Sequence, residues 1–213
     1  MRNRHLEVSK ISKVTSIILA GGKSLRLGRS KALETIDGKS LIECVVERLR
    51  PLANQILIVT SQEQSDLPDI FKAEILVDIY PDKGPLGGIY TGLLASRSSH
   101  SIVVACDMPF LNIELLRYMI ELSGDFDAVV PRLGKGMGVE SLHAIYSRSC
   151  LDNMKTKLEH DYLQIAPLLS VVRVRYVERA ECQKFDPQLL TFFNINCQSD
   201  LDRAITLVVE NRC

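Results

Sequence analysis

The sequence lacks net charge: 26 Lys and Arg balance 26 Asp and Glu. A protein that coats nucleic acid over its whole surface carries a basic excess, so that class is excluded, although a local basic site is not. Also missing is any apolar run near the roughly 18–20 residues that a membrane-spanning helix needs. Residues 1–13 are polar and basic, without the apolar centre of a secretory signal. A cytoplasmic protein is the expectation. None of the six cysteines (Cys44, Cys106, Cys150, Cys182, Cys197, Cys213) stands in a Cys-x-x-Cys spacing, which argues against a zinc site. Cys44 and Cys106 lie in apolar runs, so most of the six read as reduced, buried small residues. There is no internal repeat and no low-complexity linker. What is present is ordinary: 46% hydrophobic and 24% charged residues, in 213 residues that suit one compact domain. Residues 1–13 show no sustained apolar period and read as a flexible basic tail, leaving 14–213 as the domain.

Val14 to Ala20 reads as a buried strand that stops at Gly21-Gly22. Ser40 and Glu43 form a Ser-x-x-Glu capping box. Leu41, Ile42, Val45, Val46 and Leu49 then share one helical face, and Pro51 limits the helix. Gln55–Thr60, Ile75–Ile79, Ser101–Cys106 and Ala128–Pro131 are further strands. Gly87–Ser96 and a segment capped by Asn112 are helices. Later, Leu142–Tyr146, Val171–Val177 and Thr191–Ile195 read as strands, with helices over 149–159, 162–169 and 199–210. Apolar strands alternating with amphipathic helices predict an α/β fold, a three-layer α/β/α sandwich on a mainly parallel sheet with some antiparallel additions.

In such a sheet, ligands bind beyond the carboxyl ends of the strands. The loop Gly21-Gly22-Lys23-Ser24-Leu25-Arg26-Leu27-Gly28-Arg29-Ser30-Lys31 starts at such an end. Glycines let backbone N–H groups approach an anion, and Lys23, Arg26, Arg29 and Lys31 add cations with no acid between Gly21 and Leu33. Backbone donors plus cations suit a polyphosphate. The P-loop is excluded, because its first glycine would fall at Ile17, and Gly-x-Gly-x-x-Gly is absent. Asp107 follows a strand and can hold Mg²⁺, or it is a turn residue before Pro109. Asp78 and Thr60 also end strands, and each can contact a ligand or simply close its strand. Gly84-Pro85-Leu86-Gly87-Gly88 allows close backbone approach, or makes a tight strand-to-helix connection. Asn194 and Asn196 would share one face of a strand. His143 has no partner histidine at metal spacing and reads as a satisfied strand histidine. Cys106 has no His constellation to make it a nucleophile.

These motifs, in order, carry a resemblance. Leu19-Ala20-Gly21-Gly22-x-Ser24-x-Arg26-x-Gly28-x-x-Lys31-Ala32-Leu33 is similar to the signature of nucleotidyltransferases related to molybdenum cofactor guanylyltransferase. The similarity runs on through Asp37-Gly38-Lys39-Ser40-Leu41, Gly84-Pro85-Leu86-Gly87-Gly88, Cys106-Asp107-Met108-Pro109-Phe110 and Phe193-Asn194-Ile195-Asn196. Ser30 stands where the family usually has Asp, and Leu27 where it has Met. The resemblance implies a nucleotide-diphospho-sugar transferase-like, Rossmann-like fold. It implies Mg²⁺-dependent transfer of GMP from GTP to the phosphate of Mo-molybdopterin, with release of pyrophosphate. It assigns Arg26, Lys31 and Asp107 to catalysis, with Asp107 also holding the metal. Leu19, Ala20, Gly21, Gly22, Lys31, Thr60, Asp78 and Asp107 would bind the nucleotide. Gly84, Pro85, Leu86, Gly87, Asn194 and Asn196 would bind the acceptor. Molybdoenzyme chaperones or other cofactor-biosynthesis proteins would be its partners, with no nucleic acid and no membrane. Gly21 favours guanine over the cytosine of a related cytidylyltransferase. Ser30 keeps open a nucleotide-binding accessory protein without catalysis.

The neutrality conceals an asymmetry. Residues 1–31 hold eight basic residues and one acid, whereas the remaining chain holds 18 basic and 25 acidic residues.

Overall fold

The computed structural model describes residues 14–21, 31–61, 72–134 and 138–210. The expected tail, 1–13, lies outside them. The strands are β1 (Val14–Leu19), β2 (Thr35–Ile36), β3 (Lys39–Ser40), β4 (Ala53–Thr60), β5 (Glu74–Val77), β6 (His100–Ala105), β7 (Ala128–Gly134), β8 (Gly138–Val139), β9 (His143–Ser147) and β10 (Val174–Glu178). The helices are α1 (Leu41–Leu49), α2 (Gly84–Ala95), α3 (Ile113–Leu122), α4 (Leu151–Glu159), α5 (Ala166–Leu169), α6 (Arg179–Cys182) and α7 (Gln198–Glu210).

Eight strands form one sheet in the order β10-β7-β9-β6-β1-β4-β5, with β8 beside β7. β1 pairs in parallel with β4 and β6, and β4 with β5. β9 runs against both β6 and β7, and β10 is parallel to β7. The carboxyl ends of β1, β4, β5, β6, β7 and β10 therefore share one edge of the sheet.

The central strands read as unbroken apolar runs because both faces are covered. Side chains alternate along a strand. Ile17, Leu57, Val59 and Val103 face α2 and α4, where they meet Leu86, Ile89, Leu93, Met154 and Leu158. Ile18, Ile58, Ile102 and Val104 face α1 and α3, against Ile42, Val45, Leu49, Leu115, Leu116 and Met119. The capping box of α1 forms: Glu43 N–H donates to Ser40 Oγ at 3.4 Å, and Ser40 N–H donates to Glu43 Oε2 at 2.6 Å. Asp37 (φ 53°) and Gly38 (φ 79°) close the β2–β3 hairpin with the positive φ values that a two-residue turn of this hand requires. Among the described residues Cys44, Cys106, Cys150, Cys182 and Cys197 form no disulfide, as expected.

Four expectations are corrected. Thr191–Ile195 is not a strand but a 3-10 turn, Leu190–Phe192, followed by irregular chain. Leu189 sits at φ 57°, and Asp186 accepts from Thr191 N–H at 2.7 Å. This local carboxylate bond displaces a ladder bond. The helix expected over 162–169 is only Ala166–Leu169, because Pro167 is tolerated in a first turn but not in a helix interior. β10 begins at Val174 rather than Val171, since Val171 N–H turns back to Leu168 C=O at 3.1 Å. α2 begins one turn before Gly87, with Pro85 in its first turn.

α2 lies unusually close to the sheet. A Cβ at Gly92 would stand 2.5 Å from Ile17 Cγ2, and one at Gly88 would stand 3.1 Å from Leu19 Cδ2. Gly92→Ala should therefore destabilise the protein by about 1–3 kcal/mol through overpacking, despite the better helix propensity of alanine. Adding Ile17→Ala should cost less in that background than in the wild type, because the clash is with Ile17 itself. Urea midpoints of the four proteins measure this, and additive losses would show that the two residues do not conflict.

Candidate functional site

The shared carboxyl edge collects the expected site residues from four strands. At its centre β1 stays paired beyond its last residue. Cys106 N–H donates to Leu19 C=O at 3.1 Å, and Ala20 N–H donates to Val59 C=O at 2.8 Å. The tip Leu19-Ala20-Gly21 is thus gripped from both sides. Gly21 keeps the approach to β4 close, since a Cβ would sit 3.1 Å from Ser61 N. Gly22 and Arg26 lie outside the described residues, as do Lys23, Arg29 and Ser30. Lys31 opens a 3-10 turn, Lys31–Leu33.

Asp107 follows β6 and is half-buried. Its backbone is fixed from an unexpected direction: Ile195 N–H donates to Asp107 C=O at 3.1 Å. The fully buried Ile195 anchors the 190–196 segment beside the β6 tip. Asn194 is brought to this end, although its Nδ2 donates to Phe192 C=O at 3.3 Å. Asn196 is exposed, and its N–H is held by Asp200 Oδ2 at 2.8 Å. The two asparagines lie in irregular chain rather than on one face of a strand.

On the other side of β1, Asp78 N–H donates to Thr60 C=O at 2.9 Å, which ties the ends of β4 and β5 together. Thr60 itself is fully buried, and its hydroxyl donates to Leu76 C=O at 3.4 Å. It presents its backbone, not its side chain, to the edge. Asp78 Oδ1 accepts from Tyr80 N–H at 2.9 Å and from Thr91 Oγ1 at 2.8 Å. Thr91 Oγ1 in turn accepts from Ile79 N–H at 3.2 Å. This network fixes the Asp78 rotamer. Burial pushes its pKa above the ordinary 3.8, against the opposing pull of those two hydrogen bonds. No motif marks Thr91. Its one signal is a small hydroxyl in an otherwise apolar, glycine-rich helix.

Gly84 (φ +62°) and Pro85 are exposed at the start of α2. Leu86 is fully buried in the core. A Cβ at Gly87 would lie 2.8 Å from Tyr80 C=O and 3.0 Å from Asp78 Oδ2. Gly87 and Gly88 therefore let α2 close on the sheet and on Asp78. β5 and β6 are three strand positions apart, so Asp78 and Asp107 bracket a span of about 14 Å.

His143 is fully buried on β9, with its ring edge-on to Phe192 at 4.8 Å between centroids. Neither ring nitrogen has a hydrogen-bond partner among the described residues. The expectation of a satisfied histidine is thus corrected. Burial pushes its pKa down to about 3, so it is a neutral packing residue at physiological pH. Two grooves, of about 380 and 210 Å³, lie between α1, α7 and the 109–112 loop, and share Arg48, Phe110 and Val208. Among the described residues no group of three or more His, Cys, Asp or Glu could cage a metal. A single strand-end carboxylate fits a Mg²⁺ that takes the rest of its shell from phosphates and water.

The chain is similar to known proteins over most of its length. A family model described as the MobA-like NTP transferase domain matches residues 16–174. A probable molybdenum cofactor guanylyltransferase of Peptoclostridium acidaminophilum is 34% identical, over 93% of this chain and 91% of its own. A molybdenum cofactor guanylyltransferase of Desulfosudis oleivorans is 32% identical, over 93% and 98%. The crystal structure of molybdopterin-guanine dinucleotide biosynthesis protein A from Archaeoglobus fulgidus aligns with a TM-score of 0.79 at 31% identity, over 92% of this chain and 99% of that one. A 2-C-methyl-D-erythritol 4-phosphate cytidylyltransferase from Thermus thermophilus aligns with a TM-score of 0.70 at 18% identity, over 93% and 100%, a likeness of fold alone.

The Asp78 network makes a separable prediction. Asp78→Ala leaves the Thr91 hydroxyl and Tyr80 N–H without their acceptor and should cost about 1–3 kcal/mol. Asp78→Asn keeps an acceptor oxygen and removes a charge that burial disfavours, so its stability at pH 7 should equal or exceed that of the wild type. The folded-state pKa is raised, so the wild type is penalised above that value and recovers as pH falls through it. Any advantage of Asp78→Asn should shrink over the same interval. Denaturant midpoints at pH 7 and at pH 4 test this, and equal losses in both variants would refute it.

Proposed function

The chain belongs to the MobA-like NTP transferase family, and from that premise we propose that it transfers GMP from GTP to the terminal phosphate of Mo-molybdopterin. An acceptor phosphate oxygen attacks the α-phosphorus in line. The bond from the α-phosphorus to the bridging oxygen breaks, and pyrophosphate leaves. The observation that supports this reading best is the division of one edge by the tip of β1. Asp78 and Thr60 end β5 and β4 on one side, and Asp107 with the 190–196 segment lies on the other. A nucleotide laid across the tip, with its nucleoside towards β5, brings its phosphates to Asp107 beside the acceptor segment.

Transfer of this kind depends mainly on positioning and on stabilising charge. The backbone of Leu19, Ala20, Gly21 and Gly22 would line the phosphates. Arg26 and Lys31 would carry the positive charge that meets the phosphorus centre and the departing pyrophosphate. Asp107 would hold Mg²⁺, which supplies charge neutralisation on the triphosphate when bound. The attacking phosphate is already anionic, so no protein base is required. Gly84 and Pro85 at the start of α2, with Asn194, would border the acceptor, and Asn196 would reach it from the exposed end of the segment. The cytidylyltransferase likeness reaches no further than the fold, and relatives named for guanylyl transfer cover nearly the whole chain. The described residues include no helix long and apolar enough to cross a membrane. We place the reaction in the cytoplasm, with molybdoenzyme chaperones or other cofactor-biosynthesis proteins receiving the product.

Incubation with GTP, Mg²⁺ and Mo-molybdopterin should yield the guanine dinucleotide, identified by mass, together with pyrophosphate. Absence of both products would overturn the reading. Lys31→Ala should lower turnover by about 100-fold or more with little change in melting temperature, as expected for lost charge stabilisation. Unchanged turnover would remove Lys31 from the chemistry. In thermal-shift titrations with Mg²⁺, GTP should stabilise the protein and CTP should not; selective stabilisation by CTP would favour cytidylyl transfer.

A further inference from the structure

Most of the half-buried carboxylates have a polar partner. Asp127 is held by Arg173 at 3.0 Å, and Glu181 by Arg175 at 2.6 Å and Tyr118 at 2.8 Å. Asp186 and Asp200 accept backbone N–H groups. Glu140, between β8 and β9, has no hydrogen bond or ion pair to its carboxylate among the described residues. Burial alone pushes its pKa above the ordinary 4.5. Its backbone, in contrast, is fixed. Glu140 N–H donates to Pro131 C=O at 3.0 Å, and Glu140 C=O accepts from His143 N–H at 3.2 Å.

That anchoring sets its place. β6 pairs with β9 as far as Val104 and His143, and Ala105 N–H then donates to Leu142 C=O at 3.2 Å. Glu140 is two residues back along the chain from Leu142, so it enters the sheet beside the strand that delivers Asp107. The ring of His143 packs on Phe192, from which the chain runs to Asn194 and to the Ile195–Asp107 hydrogen bond. Glu140, Asn194 and Asp107 thus belong to one end of the edge.

We propose that Glu140 recognises the acceptor, taking the paired N–H donors of a 2-amino-4-oxo-pyrimidine ring. An ionised carboxylate only accepts hydrogen bonds, and its two oxygens match two parallel N–H groups. The amino-pyrimidinone edge of a pterin offers that pair. Guanine offers the same pair, but β9 is four strand positions from β5, about 19 Å. A guanine held near Asp78 cannot also reach Glu140. The assignment rests on the guanylyl-transfer reading, because that reading puts a pterin at this end.

The probe is a pterin with a 6-phosphomethyl arm, titrated by its own fluorescence, beside its 2,4-dioxo counterpart, which lacks the amino group. Wild type should bind the amino form at least about 10-fold more tightly. Glu140→Gln should lose about 10-fold for the amino form and close the gap between the two. Its GTP affinity by calorimetry should stay within twofold of wild type, and its melting temperature should be equal or higher. Wild-type affinity for the amino form in Glu140→Gln overturns the proposal. So does a loss confined to GTP, which would put the carboxylate at the guanine, and so does a fall in melting temperature, which would make Glu140 a stability residue. Wild type that binds GTP but neither pterin overturns the proposal and leaves nucleotidyl transfer intact. Wild type that binds the amino pterin but not GTP sinks the guanylyl reading, while the loss in Glu140→Gln still supports Glu140.

Discussion

The grip on the tip of β1 holds the whole ligand edge in register. Two hydrogen bonds made past the strand's formal end, Cys106 N–H to Leu19 C=O and Ala20 N–H to Val59 C=O, lock three parallel strands at the same height. They are possible because β1 is buried on both faces, with Ile17 committed to one core and Ile18 to the other. A slip of one residue would exchange those faces and bury the wrong side chains. The polar chemistry at the edge is therefore fixed by apolar packing several residues away. The closeness of α2, allowed by Gly88 and Gly92, serves the same end by bringing Thr91 within reach of Asp78.

The order of the sheet then separates the roles. Strands on the β4–β5 side of β1 end in Thr60 and Asp78, and those on the β6–β9 side end near Asp107 and Glu140. On the proposed reading, two substrates that must meet at one phosphorus need opposite approaches, and a sheet edge with a gripped centre would give each its own half. Antiparallel β9 matters for this division. Its start, not its end, faces the ligand edge, so a turn residue such as Glu140 arrives where a parallel strand would deliver its last residue.

Much of this was legible in the sequence, for identifiable reasons. β1, β4 and β6 are apolar runs whose burial on both faces leaves few alternative readings. The α1 capping box is a local device that reports itself. The apolar runs before them located Asp78 and Asp107 at strand ends. What failed was the region where side chains compete with the backbone. Thr191–Ile195 has the composition of a strand, yet Asp186 captures Thr191 N–H and Asp107 captures Ile195 N–H. The first partner is five residues away and lies outside the apolar pattern, and the second is 88 residues away in sequence. The asparagines there could not be placed on a common face without knowing those bonds. The resemblance assigned Thr60 to the nucleotide, but nothing in the sequence shows that its hydroxyl closes on Leu76 C=O. His143 looked satisfied because buried histidines usually are.

The carboxylates sort by the direction in which the fold moves them. On the frame, the Arg173 guanidinium holds Asp127 well below the usual range. Glu181, raised by burial, is brought down to about 2 by Arg175, the Glu178 N–H and Tyr118. At the ligand edge, burial raises Asp78 and Glu140, and no cation among the described residues relieves either. Pairing on the frame stabilises the folded state, whereas desolvation at the edge works against it. The fold pairs its acids with cations on the frame and leaves these two desolvated at the edge, where Asp78 has only neutral donors to its Oδ1. On the proposed reading, such an edge would take N–H and O–H donors of one substrate at each end.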